Sequence, residues 1–198
     1  FYHEVAGQRR DDKIFDETAV VGVQEFASRL QSGLVPNFAR WADFIAGSEV
    51  PPEQQDTVNN ELDEVTDYVF EIIQNSNFGQ EIHESFMDLA VGTGILLVEE
   101  GDALNPVRFN AIPLPNVYLD TGPDDKIDHV YRERSLKISD LAVAYPKGII
   151  SEKTIRDMQS EPDKKVKVLE VVCRNYSDLN EEKYDYYVIN CDDREMIY

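Results

Sequence analysis

Three histidines, two cysteines and a large surplus of carboxylates are the residues of this chain that could do chemistry, and their spacing decides what each can do. His83 precedes Glu84 on an expected helix, but a zinc-protease helix needs a second histidine one turn away, and none stands there. His3, His83 and His129 are too few and too scattered for a metal cluster. Asp120, Asp124, Asp125 and Asp128 could hold a calcium ion. The EF-hand spacing and its terminal glutamate are absent, so an acidic surface hairpin is the better reading. Gly92-Thr93-Gly94 carries two glycines of a phosphate-cradling loop, without the later glycine or the Lys-Ser/Thr pair. It also follows a helix where a strand is required, so a helix-to-strand turn is expected. No Gly-x-Ser-x-Gly elbow offers a nucleophile. With 39 Asp and Glu, some pair of acids falls at glycosidase distance by chance, so paired carboxylates carry no weight. Asn175-Tyr176-Ser177 is a formal glycosylation triplet with no secretory context. Cys173 and Cys191 make no disulfide framework and have no metal-ligand spacing; reduced thiols in a cytosolic setting are the simplest reading, a single bridge the alternative. No catalytic residue, metal site or cofactor is expected.

The charge is more informative. The 198 residues carry 19 Lys and Arg against 39 Asp and Glu, a net charge of −20, which excludes a basic module that grips nucleic acid through its phosphates. No run of 18 apolar residues is present to cross a membrane. The opening Phe1-Tyr2-His3-Glu4 is neither a methionine start nor a signal peptide, which suggests an internal piece of a longer chain. Between Arg40 and Arg108 there is no Lys or Arg, yet fifteen acids occur. Asp63 and Asp67, and then Asp67 and Glu71, lie one helical turn apart, each like-charge pair costing roughly 0.2–0.5 kcal/mol. Such a run is either a solvated face or a face that meets something fixed: a basic patch on another subunit, or DNA that must not stick.

These residues have to be positioned by the elements around them. A first helix is expected from Asp16, an N-cap, with Ala19, Val23, Phe26, Ala27 and Leu30 on one face and a stop at Gly33. Pro36 then enforces a link to Trp41, and the state of Trp41–Ile45 is ambiguous. Pro51-Pro52 opens the longest helix, running to about Asn75, with Val58, Leu62, Val65, Val69 and Ile72 as its apolar stripe. A third helix spans Gly79 to Val91. Strands are expected at Ile95–Val98, Val107–Ile112, Val117–Leu119 and His129–Lys137. Two brief helices opened by Ser139 and Ser151 follow, then a hairpin of Val166–Cys173 and Tyr184–Ile189 joined by the polar loop Ser177–Glu182. Helices followed by a run of strands make the fold class α+β, with a helical part at 1–94 and a β-rich, mostly antiparallel part at 95–198.

Ala27-Ser28-Arg29-Leu30-Gln31-Ser32-Gly33-Leu34, followed by Pro36 and Trp41, resembles a passage of phage head-to-tail connector (portal) proteins of short-tailed phages. Phe86 through Leu97 is similar to that family's helix–Gly-x-Gly–strand junction. Ile112-Pro113-Leu114 through Val117-Tyr118-Leu119, and then Val130-Tyr131-Arg132, resemble its next strands, and Asp140-Leu141 to Tyr145-Pro146 its short helix. The match covers roughly residues 16–150 in order, with a looser fit of the hairpin after 165.

The resemblance implies a structural virion protein assembled in the host cytoplasm. Its subunits would form a ring, typically of twelve, at one capsid vertex, set in the major capsid protein. Double-stranded DNA would pass through without sequence-specific binding; the terminase packaging motor would dock there, and later the tail adaptor. This segment would be the wing, with the stem, clip and crown outside it. The acidity of residues 41–107 is a departure from the family. A heterologous ring contact would pair Asp63, Glu64, Asp67 and Glu71 with a neighbour's Arg132, Arg134, Lys137, Lys164, Lys165 and Lys167. Alternatively, the acidic face lines the DNA path. A non-catalytic acidic scaffolding or adaptor module is the rival reading, and a carboxylate-based hydrolase a further one.

Overall fold

The computed structural model describes residues 16–177 and 181–198. Expectations for His3 and the opening tetrapeptide, and for Asp178-Leu179-Asn180 in the last hairpin loop, lie outside the described residues. The fold is α+β, with five α-helices and two antiparallel sheets among the described residues. The chain divides into two compact units with the boundary between Leu114 and Pro115.

The first unit holds α1 (Thr18–Leu34), α2 (Pro52–Asn75), α3 (Phe78–Leu89) and a hairpin of β1 (Leu96–Glu100) and β2 (Val107–Ala111). Asp16 Oδ1 accepts from the Thr18 amide at 2.9 Å, one residue ahead of the capping position, which Glu17 occupies. The small Ala27 is fully buried on α1, which packs against α3. Gln31 then locks the pair: its Nε2 donates to Gly79 O at 2.7 Å, and its Oε1 stands 3.0 Å from His83 Nδ1.

The stripe read for α2 holds at Val58, Leu62, Val69 and Ile72, which are half-buried, and departs at its centre. Val65 is 48% exposed, while Thr66 and Phe70 are buried. A threonine is tolerated there because its hydroxyl is fully used, donating to Leu62 O at 2.7 Å and accepting from the Phe44 amide at 3.2 Å. The ambiguous segment around Trp41 is thus an irregular strap laid along α2, held again where the Ala46 amide donates to Asn59 Oδ1 at 2.8 Å. Trp41 stands edge-on to Phe70 and stacks on Phe78, which meets Phe109 of β2 edge-on at 5.0 Å. This line of rings ties strap, helices and hairpin together. The backbone of β2 is satisfied by side chains: Asn77 bonds both the amide and the carbonyl of Phe109, and Glu81 Oε2 accepts from the Ala111 amide.

The second unit is one antiparallel sheet in the order β3 (Val117–Thr121), β4 (Ile127–Lys137), β5 (Lys165–Asn175), β6 (Lys183–Asn190) and β7 (Glu195–Met196). A single turn at Ile138–Asp140, α4 (Leu141–Ala144) and α5 (Glu152–Ser160) connect β4 to β5. Ser151 caps α5, its hydroxyl accepting from the Thr154 amide as the sequence suggests. Ile138, Leu141, Tyr145, Val166, Val168, Val188 and Ile197 form the core, each buried aliphatic side chain contributing roughly 1.5–3 kcal/mol. The two-residue β7 has no sequence signal long enough to find it; Arg194, at φ 55°, turns the chain back onto β6.

Candidate functional site

The acidic face of α2 is outward and under-neutralised. Asp63 and Asp67 share one cation, Arg40 from the strap, whose Nη1 lies 3.0 Å from Asp67 and whose Nη2 pairs with Asp63. Its Nε reaches Asp43 at 2.5 Å. These pairs, led by the bond to Asp63, hold the guanidinium's pKa above its ordinary value. One charge against three carboxylates leaves the face negative. Glu64 and Glu71 are exposed and have no basic partner among the described residues.

The basic candidates separate into two groups. Arg132 and Arg134 do not face outward as free cations: their side chains are 15% and 31% exposed and both bond to Glu170, at 3.3 and 2.8 Å. Register explains this. Arg132 pairs directly with Glu170 across β4 and β5, and Arg134 lies two residues on, on the same face of β4. Glu170, 8% exposed, also accepts from the Tyr145 hydroxyl at 2.8 Å. Burial, then the carboxylate, pushes both tyrosines near it upward, Tyr186 to about 12 and Tyr145 further. This polar cluster within the second unit is absent from the sequence reading; a lone Glu in the otherwise apolar run Val168–Val172 is the signal that could have found it.

The lysines form the second group, at the far end of β4 and the start of β5. Lys137 faces Lys165 directly in register, a like-charge juxtaposition that Asp163 relieves by taking Lys137 at 2.7 Å. Lys164 pairs with Asp157 and Lys167 with Glu133, each at 2.8 Å. Lys165 is exposed and has no acidic partner among the described residues. Lys164 holds the carboxyl of Asp157, and Lys137 that of Asp163, below the usual carboxylate range. The structure thus places the candidate acids on one unit and the candidate bases on the other, and each group makes salt bridges inside its own unit.

Several residues weighed for chemistry have packing or hydrogen-bonding roles in this fold. Gly92-Thr93-Gly94 is the turn between α3 and β1, and a Cβ at Gly94 would stand 2.5 Å from Ser85 O, so glycine serves close packing there. His83 is the partner of Gln31. Asp128 is buried, with His129 Nδ1 2.6 Å from its Oδ1 and the Tyr176 hydroxyl bonded to its Oδ2. Among the described residues no group of three or more His, Cys, Asp or Glu could hold a metal ion, and no helix is long and apolar enough to cross a membrane. Both cysteines are free thiols. What the geometry offers is contact surface: an acidic helix face, a lysine-rich strand end, and an aromatic-floored hollow beside the strap.

A family model described as bacteriophage head to tail connecting protein matches residues 1–197. No curated protein matches the chain.

Proposed function

The chain belongs to the bacteriophage head to tail connecting protein family, and on that premise we propose that it is a structural, non-catalytic subunit of a portal ring. The ring, of about twelve copies as the earlier resemblance implies, stands in the virion where head meets tail. Double-stranded DNA passes through it during packaging and ejection, and the capsid protein, packaging motor and tail adaptor attach to it. The chain would be the wing, its helical part giving way near residue 94 to the β-rich part that follows. The single observation that carries this reading is the family match across 197 of the 198 residues.

The charge distribution supports the manner of assembly. A ring closes through heterologous contacts, one face of a subunit against a different face of the next. Asp63, Glu64, Asp67 and Glu71 supply the acidic face, and a neighbour's Lys137, Lys164, Lys165 and Lys167 the basic one. Arg132 and Arg134 contribute indirectly, by stabilising the strand pair that carries those lysines. Charge steering of this kind sets register and association rate more than affinity. The remaining acidic surface repels the duplex and lets it slide without sequence-specific contacts.

Electron microscopy of the negatively stained full-length chain tests the reading. Rings with a central hole are expected. A population of single, unassembled subunits under conditions where the fold is intact would overturn it.

A further inference from the structure

The strap between α1 and α2 leaves an unusual amount of apolar surface outside the fold. Phe38 is 94% exposed, Ile45 75% and Phe44 51%, and Trp41 is still 38% exposed at the end of the ring line. Beside them lies a hollow of about 290 Å³, floored by Trp41, Phe70 and Phe78 and rimmed by Asn37, Gln74 and Gln80. No charged side chain lines it, in a chain of net charge −20. Its volume is at the lower bound for small-molecule sites, which are ~300–1,000 Å³, and suits one or two aliphatic side chains. Phe70 and Gln74 belong to α2, where Asp67 and Glu71 stand one turn before them; Asp67 is paired with Arg40, and Glu71 is exposed with no basic partner among the described residues. An occupant would therefore be apolar at its tip and basic beside it.

The second unit exposes such a tip. Val143 and Ile149 are each 82% exposed, although the backbone that carries Ile149 is pinned. The Gly148 amide donates to Tyr145 O at 2.9 Å, and the Ile149 amide to Ile197 O at 2.7 Å. Lys147, between them in sequence, is exposed and without an acidic partner among the described residues. A rigidly presented aliphatic side chain costs little entropy to bury, which is what makes an anchor effective.

We propose that the hollow beneath Phe38 is a socket that receives the Val143–Ile149 corner of a second copy of this chain, with Ile149 against Trp41 and Phe78 and Lys147 toward the acids of α2. The inference rests on the ring reading and adds its apolar anchor. Charge complementarity and the match between one pinned aliphatic tip and a small uncharged hollow select a second copy as the occupant. Because socket and tip are on different units, a head-to-tail contact can use both on every copy and so propagate around a ring.

The test is disulfide trapping in the full-length chain, with Ala39→Cys at the rim and Ile149→Cys at the tip, in a Cys191→Ser background. Both positions are exposed, so the fold tolerates the changes. Mild oxidation is expected to produce a ladder of linked copies on a denaturing gel. Each variant with only one introduced cysteine, and the control pair Ala39→Cys with Val98→Cys, should give none, Cys173 being common to all. Separately, Ile149→Asp should weaken assembly about tenfold or more, the loss of one buried aliphatic anchor, with the melting temperature unchanged. Rings that form without the ladder would overturn the socket and leave the ring standing. Cross-linking of the rim cysteine to a different polypeptide would also overturn it. Wild-type chain that forms no rings would instead remove the ring reading itself.

Discussion

Tyr145 donates its hydroxyl hydrogen to Glu170 Oε1 across 2.8 Å in the covered interior of the second unit. The same carboxylate neutralises Arg132 and Arg134, so three elements converge on one acid: β4, β5 and the segment after α4. Removing the acid strands two partly buried guanidinium groups. Glu170→Ala is expected to cost about 3 kcal/mol, seen as a lower urea midpoint. Replacing Lys165, which has no comparable partner, should leave the unfolding free energy within about 0.5 kcal/mol of wild type.

The same cluster is expected to limit the fold at alkaline pH. Burial and the neighbouring carboxylate raise Tyr145 and Tyr186 above the ordinary 10.0, Tyr186 to about 12. A group whose folded pKa is raised stabilises the fold fully below its unfolded value and loses that contribution as pH climbs through the folded one. Stability should therefore hold up to about pH 10 and decline toward pH 12. Urea melts across that range check this. Tyr145→Phe should flatten the decline while costing about 1 kcal/mol at neutral pH for the lost hydrogen bond.

Glycines in the first unit separate cleanly by what surrounds them. Gly22 lies inside α1 with open space where a side chain would go. Gly22→Ala is expected to stabilise by about 0.5–1 kcal/mol through helix propensity. At Gly94 the added Cβ would meet the backbone oxygen of Ser85 at 2.5 Å. Gly94→Ala should destabilise by about 1–3 kcal/mol, the cost of forcing a packed junction apart. Thermal melts of the two variants should move in opposite directions.

The charge contact between copies is tested by a swap that respects the in-chain pairing. Asp67→Lys would set a new cation against Arg40, so its effect would mix folding with assembly. Glu71→Lys avoids this, since Glu71 has no basic partner among the described residues. Glu71→Lys and Lys165→Glu should each reduce ring yield at low salt, and the double variant should recover it. A double variant no better than either single would remove this pairing. Raising the salt should shrink all three effects, because both side chains are exposed.

Much of the architecture is legible along the chain. Pro51-Pro52, the strand alternation of His129–Lys137 and the cap at Ser151 all act over a few residues, through fixed φ, the two-residue pleat and a local hydrogen bond. They mark α2, β4 and α5 to within a residue or two of where the structure places them. The family passages are equally local, and so is the absence of Lys and Arg between Arg40 and Arg108.

What depended on tertiary structure was the partner of each polar group. Arg132 and Lys167 look alike as sequence, both cations on strands. Only the register of β4 against β5 puts one beside the buried Glu170 and the other beside Glu133 near the surface. Likewise Val65 is the better apolar candidate on α2, yet Thr66 is buried, because the strap passes over it and its amide needs an acceptor. Burial and charge pairing depend on residues far apart in the chain, and composition and periodicity hold no record of which of them will meet.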